Sequence, residues 1–211
     1  MKSTFPERRL CLNEDNGHTY AYMAPEHTDE TSLRALVDLY TRNTRIGQLL
    51  FCVNIQRALF DSRAWQPLFD GYDPDGPDDQ PMFQWIPDMP RNTPASRTVF
   101  RERRKVHCLW LLAQRGIDHF AVWLDQCRKR QVEGWLSIRM NDSHYTHEPR
   151  CHWHNRFWLE HPEWRLDAGG RPGRSGLDFS HRAVREHYLA LARELFERYD
   201  MDGLELDWMR W

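Results

Sequence analysis

Tyr199-Asp200-Met201-Asp202-Gly203-Leu204-Glu205-Leu206-Asp207-Trp208-Met209-Arg210-Trp211 carries the most legible pattern in the chain. From Gly203 to about Met209, apolar and polar side chains alternate with the period of two that a β-strand imposes. Leu204 and Leu206 share one face, and Gly203, Glu205 and Asp207 share the other. Two carboxylates on one face of a strand are costly to bury without partners, so their presence needs a reason. Asp207, nearest the C-terminal end of the strand, is the principal catalytic candidate. Glu205, one step deeper, is the second carboxylate, and neutralisation by Arg139 of a neighbouring strand is its expected fate.

Working back from that strand, a long amphipathic helix is expected from Ser180 to Tyr199. Val184, His187, Tyr188, Leu191, Ala192, Leu195 and Phe196 form its apolar stripe. Val132 to Asn141 reads as another strand, with Leu136, Ile138 and Met140 toward the helices and Ser137, Arg139 and Asn141 on the opposite face. Two helices precede it, one over Thr98–Gln114 closed by Gly116 and one from Asp118 to about Lys129. Gln48-Leu49-Leu50-Phe51-Cys52-Val53-Asn54 is apolar on both faces, as a buried parallel strand should be. A helix capped by Thr31 or Ser32 precedes it, with Leu33, Leu36, Val37 and Tyr40 on one face, and Thr19 to Ala24 reads as the first strand. Strands alternating with helices predict a parallel α/β sheet. Two excursions interrupt it: about 55–97, rich in Asp, Gly and Pro and read as turns rather than core, with a short helix near Gln56 to Phe60, and the polar stretch 142–178.

With 211 residues the chain is sized for one soluble domain, and residues 1–211 are read as a single unit. The charge sum, 29 basic against 31 acidic residues, gives −2 and none of the positive excess that phosphate backbones demand, so nucleic acid is an unexpected partner. No apolar run approaches the roughly 20 residues that cross a bilayer, and Met1 to Arg9 holds no signal-like apolar stretch. Five cysteines, with no two in CxxC spacing, suit a reducing compartment, and the expectation is a cytoplasmic protein away from membranes. Lysine occurs only at positions 2, 105 and 129, a bias toward arginine that base composition explains. The 10 Trp, 10 Phe and 7 Tyr fit either large core fillers or stacking platforms for sugars.

On a barrel of parallel strands, the side chains at the C-terminal strand ends build the site. There the pattern gathers Arg139, Asn141, Asp142 and His144 with Asp207: acid, cation and amide around one mouth, as a polyhydroxylated ligand requires. The segments Asp202-Gly203-Leu204-Glu205-Leu206-Asp207-Trp208 with the Arg210-Trp211 pair, Trp135 to His144, Phe157 to Arg165 and Leu177 to His181 resemble glycoside hydrolase-like (β/α)8 barrels. The nearest group is glycosyl hydrolase-like family 10, and the likeness covers roughly Ile117 to Trp211. It implies a TIM-barrel type of fold of which about the first four βα units are present. It also implies O-glycosyl bond hydrolysis on an oligo- or polysaccharide, with an aspartate at the end of strand four, and Arg139, Asn141, Asp142, His144, Trp208 and Arg210 as substrate contacts.

Compared with the family 18 chitinase signature, Met209 stands where the acid glutamate would be, which excludes that mechanism here. Glycoside hydrolysis generally uses two carboxylates. With Glu205 too deep, a later strand would supply the second, so a missing C-terminal half-barrel or a partner chain is expected. Alone, the chain would be inactive or a non-catalytic carbohydrate-binding unit. No cofactor is expected. His144, His147, Cys151, His152 and His154 match no standard metal pattern, although a metal-dependent barrel hydrolase is an alternative to test.

Overall fold

A computed structural model describes residues 10–86, 95–166 and 175–208. Four parallel strands, β1 (Leu10–Glu14), β2 (Ile46–Cys52), β3 (Glu133–Arg139) and β4 (Gly203–Asp207), lie side by side in the order β1-β2-β3-β4. The order never reverses, unlike that of a doubly wound sheet, which turns back at a switch point. Helices α1 (Gly17–Tyr22) and α2 (Glu30–Thr41) join β1 to β2, α3 (Ala95–Gln114) and α4 (His119–Lys129) lead into β3, and α5 (Arg156–Glu160) and α6 (Arg182–Arg198) lead into β4.

The sheet is curled. In a flat sheet β1 and β4 would lie about 14 Å apart, three strand spacings, which is beyond the combined reach of an Asn and a Glu side chain. Yet Asn13 Nδ2 on β1 donates to Glu205 Oε2 on β4 at 2.8 Å. Both side chains therefore look inward across a concave face, where Ser137 Oγ of β3 also donates to Glu205 Oε2 at 2.5 Å. On the convex side, Leu49, Phe51, Leu136 and Ile138 are buried beneath the helices.

Local signals explain most elements. Asp118 caps α4 by accepting from Ala121 N at 3.2 Å, and Phe120, Trp123 and Leu124 bury its inner face. Gly116 closes α3 at φ 65°: its N–H bonds Ala113 O, and Ile117 N bonds Leu112 O, the paired bonds of a Schellman ending. The cap of α2 is Asp29, which accepts from Ser32 N at 2.7 Å, rather than Thr31 or Ser32. Val184, Tyr188, Leu191 and Leu195 bury the inner stripe of α6, whereas Phe196 is exposed.

Three expectations are corrected. Thr19 to Ala24 is not the first strand: Gly17–Tyr22 is helical, and Thr19, Tyr20 and Ala21 are buried in succession, which no alternating strand allows. The first strand is Leu10–Glu14, a short edge with most of its residues exposed. The first excursion is core rather than turns alone: Ile55, Ala58, Leu59, Phe60, Trp65, Leu68, Phe83, Trp85 and Ile86 are all buried, and no helix forms over 56–60. Its anchor is Glu194 on α6, which accepts from Ser62 Oγ, Arg63 N and Ala64 N at 2.5, 2.9 and 3.0 Å. Finally, Leu206 is half exposed rather than covered by helices, because β4 has a neighbour on one side only among the described residues. No helix among those residues is long and apolar enough to cross a membrane, and all five cysteines are free.

Candidate functional site at the strand ends

Polar side chains close the C-terminal ends of the strands. Asn54, just past β2, is wholly buried and clamps the end of β3, with Oδ1 accepting from Arg139 N at 2.9 Å and Nδ2 donating to Arg139 O at 3.1 Å. That clamp fixes Arg139, whose buried guanidinium pairs with Asp15 beyond β1 and lies 3.6 Å from Asp142 Oδ2. Asp142 in turn holds His144: Nδ1 lies 3.1 and 3.0 Å from the two carboxylate oxygens, and the backbone N–H of His144 donates to Oδ1 at 3.0 Å. Burial pushes the Asp142 carboxyl up, but the bonds from His144 and the charges of His144 and Arg139 outweigh it, leaving it below the ordinary carboxylate range.

A cavity of about 130 Å³ opens here, lined by Asp15, Tyr20, Lys105, Arg139, His144 and Trp153 over an apolar wall of Ile55, Leu59 and Leu68. Behind it Lys105 Nζ donates to Glu102 Oε1 at 2.8 Å, and Trp153 Nε1 donates to Glu102 Oε2 at 3.0 Å. Lys105 Nζ also stands 4.9 Å from the centre of the Trp153 ring. Buried Glu102 would be driven up, but the Lys105 charge and these bonds hold it below its usual range. A second cavity, about 110 Å³, lies between Phe60, Leu109 and Arg198, where Arg198 is already paired with Asp118.

The structure thus joins Arg139, Asp142 and His144 in one constellation. Asp207 ends β4 in register with Arg139, and its carbonyl accepts from Met140 N at 3.0 Å, but it is not among the residues lining the cavity. Glu205 is held by Asn13 and Ser137, not by Arg139, which the two aspartates claim instead. Asn141 reaches Trp208 O at 3.4 Å, while its Oδ1 is buried without a hydrogen-bond partner. Trp208 is half exposed and meets Phe179 edge-on, with ring centres 4.7 Å apart. Arg210 lies outside the described residues. The histidine cluster disperses: His152 Nδ1 accepts from Trp85 Nε1 at 3.0 Å, and His154 bonds Gln56 and the carbonyls of Tyr145 and Glu148. His147 faces solvent, and among the described residues no three His, Cys, Asp or Glu side chains converge as a metal site.

Asp15, Glu102 and Lys105 are the site residues that sequence reasoning missed, while Trp153 is one of the tryptophans it left open between packing and stacking. One of only three lysines against 26 arginines, three residues after a glutamate on a helix, was the available signal for Lys105 and Glu102.

No family model matches the chain, and no curated protein matches its sequence. Among solved structures it is similar to alpha-L-fucosidase isoenzyme 2 from Paenibacillus thiaminolyticus, with TM-score 0.50 and 11% identity over 93% of this chain and 23% of that one. A noncanonic maltogenic alpha-amylase from Thermotoga neapolitana aligns with TM-score 0.45 and 15% identity over 94% of this chain and 38% of that one. The likeness to the fucosidase is one of fold, an α/β architecture, and the chain spans about a quarter of that enzyme's length. The family 10 group is not among these matches.

Proposed function

We propose that this chain is a carbohydrate-acting domain of glycoside hydrolase-like type, about the first half of a (β/α)8 barrel, which takes an oligo- or polysaccharide across the C-terminal ends of its strands. One observation carries the reading: the sheet is curled, and its concave face and strand ends carry a continuous polar set, Asn13, Ser137, Glu205, Arg139, Asp142 and His144. A polyhydroxylated ligand needs alternating donors and acceptors of that kind beside an apolar wall. Asp207 is the carboxylate for O-glycosyl bond hydrolysis, with Asn141, Trp208 and Arg210 as further contacts. The second carboxylate comes from a further strand, supplied by additional chain or by a partner. In the protein so completed, Asp207→Asn should abolish the release of reducing ends while leaving thermal unfolding unchanged. Undiminished turnover in that variant would remove Asp207 from the chemistry.

A second reading, carbohydrate binding without turnover, is favoured by the position of the cavity, which lies over β1 to β3 and leaves Asp207 outside its lining. Glycan binding with no reducing ends released, even in the completed protein, would select it.

A further inference from the structure

Each fixed cation at the cavity over β1 to β3 is already paired, and that pairing limits what the cavity can hold. Lys105 is matched by Glu102 at 2.8 Å, and Arg139 is matched by Asp15 and by Asp142, which also carries His144. Each cation facing the cavity therefore has its own carboxylate. A uronate or sulfate entering would have to displace one of these partners, and a desolvated anion without a cation of its own is strongly disfavoured.

A donor and an acceptor are nevertheless left over. The Lys105 ammonium has three N–H groups, of which Glu102 takes one while the Trp153 face lies beside the group. His144 donates its Nδ1–H to Asp142, which leaves Nε2 of the neutral ring as an acceptor, and among the described residues that Nε2 has no hydrogen-bond partner. Hydroxyl groups both donate and accept, so they can take the spare Lys105 N–H groups, donate to His144 Nε2 and share the lone pairs of the paired carboxylates without disturbing any ion pair. Ile55, Leu59 and Leu68 give the C–H face of a ring an apolar wall, and Trp153 stands on the rim. At about 130 Å³ the space suits one pyranose ring rather than two.

The choice of lysine fits the same demand. Of 29 basic residues, 26 are arginine, and of the two described lysines only Lys105 is buried, Lys129 being an exposed partner of Asp125. An arginine at 105 would commit its planar fork to the Glu102 carboxylate, whereas an ammonium holds Glu102 with one N–H and keeps others for a ligand.

We infer that this cavity is a subsite for a single uncharged sugar ring, with Lys105 donating to its hydroxyls, His144 Nε2 accepting from one of them and Trp153 on its rim. The inference rests on the carbohydrate reading above and narrows it to neutral sugars. All the residues involved lie in this chain, so binding is measurable on it directly. The probes are methyl glycosides of glucose, galactose and mannose, set against glucuronate, galacturonate and glucosamine, followed by saturation-transfer NMR and tryptophan fluorescence. At least one neutral glycoside should bind, about 10-fold or more tighter than its uronate. His144→Gln and Lys105→Arg should each weaken it about 5-fold or more. His144 is partly exposed, so His144→Gln carries the test should Lys105→Arg fail to fold. Tighter binding of a uronate or of glucosamine, or wild-type affinity in folded variants, would overturn the inference while leaving the carbohydrate reading standing. Failure of every saccharide to bind would remove both.

Discussion

Gly203 and Asp202, the pair that opens the fourth strand, are structural joints. Asp202 Oδ2 accepts from Gly134 N at 2.8 Å and its own N–H donates to Gly134 O at 2.9 Å, latching β4 to β3 at their entry. Gly203 lies against the indole of Trp135, where a Cβ would fall 2.6 Å from three ring atoms. Gly203→Ala should therefore force the ring or the strand aside and lower stability by about 1–3 kcal/mol, read as a reduced urea midpoint. An unchanged midpoint would mean that Trp135 moves away freely. An Asp-Gly pair in this position thus reports on packing, and the chemistry of the segment is left to Glu205 and Asp207.

At the scale of elements, α6 does more than cover the sheet. Its Glu194 is buried and ties down Ser62, Arg63 and Ala64, and through them an excursion that contributes Trp65, Leu68 and Trp85 to the core. Glu194→Ala leaves those donors without their acceptor at the price of about 3 kcal/mol, and should raise protease cleavage within 55–86 before the rest of the chain. Cleavage elsewhere first would show that the excursion is held by its aromatic residues alone. The contrast between elements also explains what could be read in the sequence. α4 and α6 were legible because their apolar residues recur at helical spacing, β3 and β4 because apolar and polar residues alternate, and β2 because its apolar run is unbroken. β1 was not, since Leu10-Cys11-Leu12-Asn13-Glu14 is a short edge with only its last residue fully buried, while Tyr20 and Tyr22 imitate strand alternation inside a helix. Misplacing β1 hid Asp15, and Lys105 comes from a helix whose approach to the strand ends has no sequence period. Arg139, Asp142 and His144 were found because they end or follow a strand that was read correctly.

Considered whole, the molecule is built to be neutral inside at its histidines. Burial holds His119 and His187 down to about 4 and His152 to about 3. Unfolded, each would titrate near 6.5. Below that pH the unfolded chain binds protons that the fold refuses, so stability is fully present above about 6.5 and is lost as pH falls toward 4. Asp142, held below its ordinary range, adds a loss of the same sign at still lower pH. The cost is on the order of 3 kcal/mol per histidine by pH 4, enough together to unfold a domain of ordinary stability. Thermal melts should therefore show Tm falling steeply between pH 6.5 and 4.5, and a flat Tm across that range would mean that these rings take up protons in the folded state.

The curled sheet leaves a second property of the whole. Among the described residues β1 and β4 each have one strand neighbour, and Leu10, Leu206 and Trp208 are at least half exposed along those edges. An unpaired edge offers a row of N–H and C=O groups to any extended chain, and apolar side chains beside it add to the attraction. Natural edges are blunted by charge, and lysine pointing along the edge is the usual device. The side chain of Leu206 is already half in solvent, so Leu206→Lys replaces little packing and should change stability by less than about 1 kcal/mol. It should, however, suppress association: the wild-type chain is expected to show an apparent mass that rises with concentration by size exclusion with light scattering, and the variant to stay closer to one mass. Equal concentration dependence in the two proteins would place the sticking surface away from β4, and would leave the concave face and its neighbouring cavity as the more exposed liability.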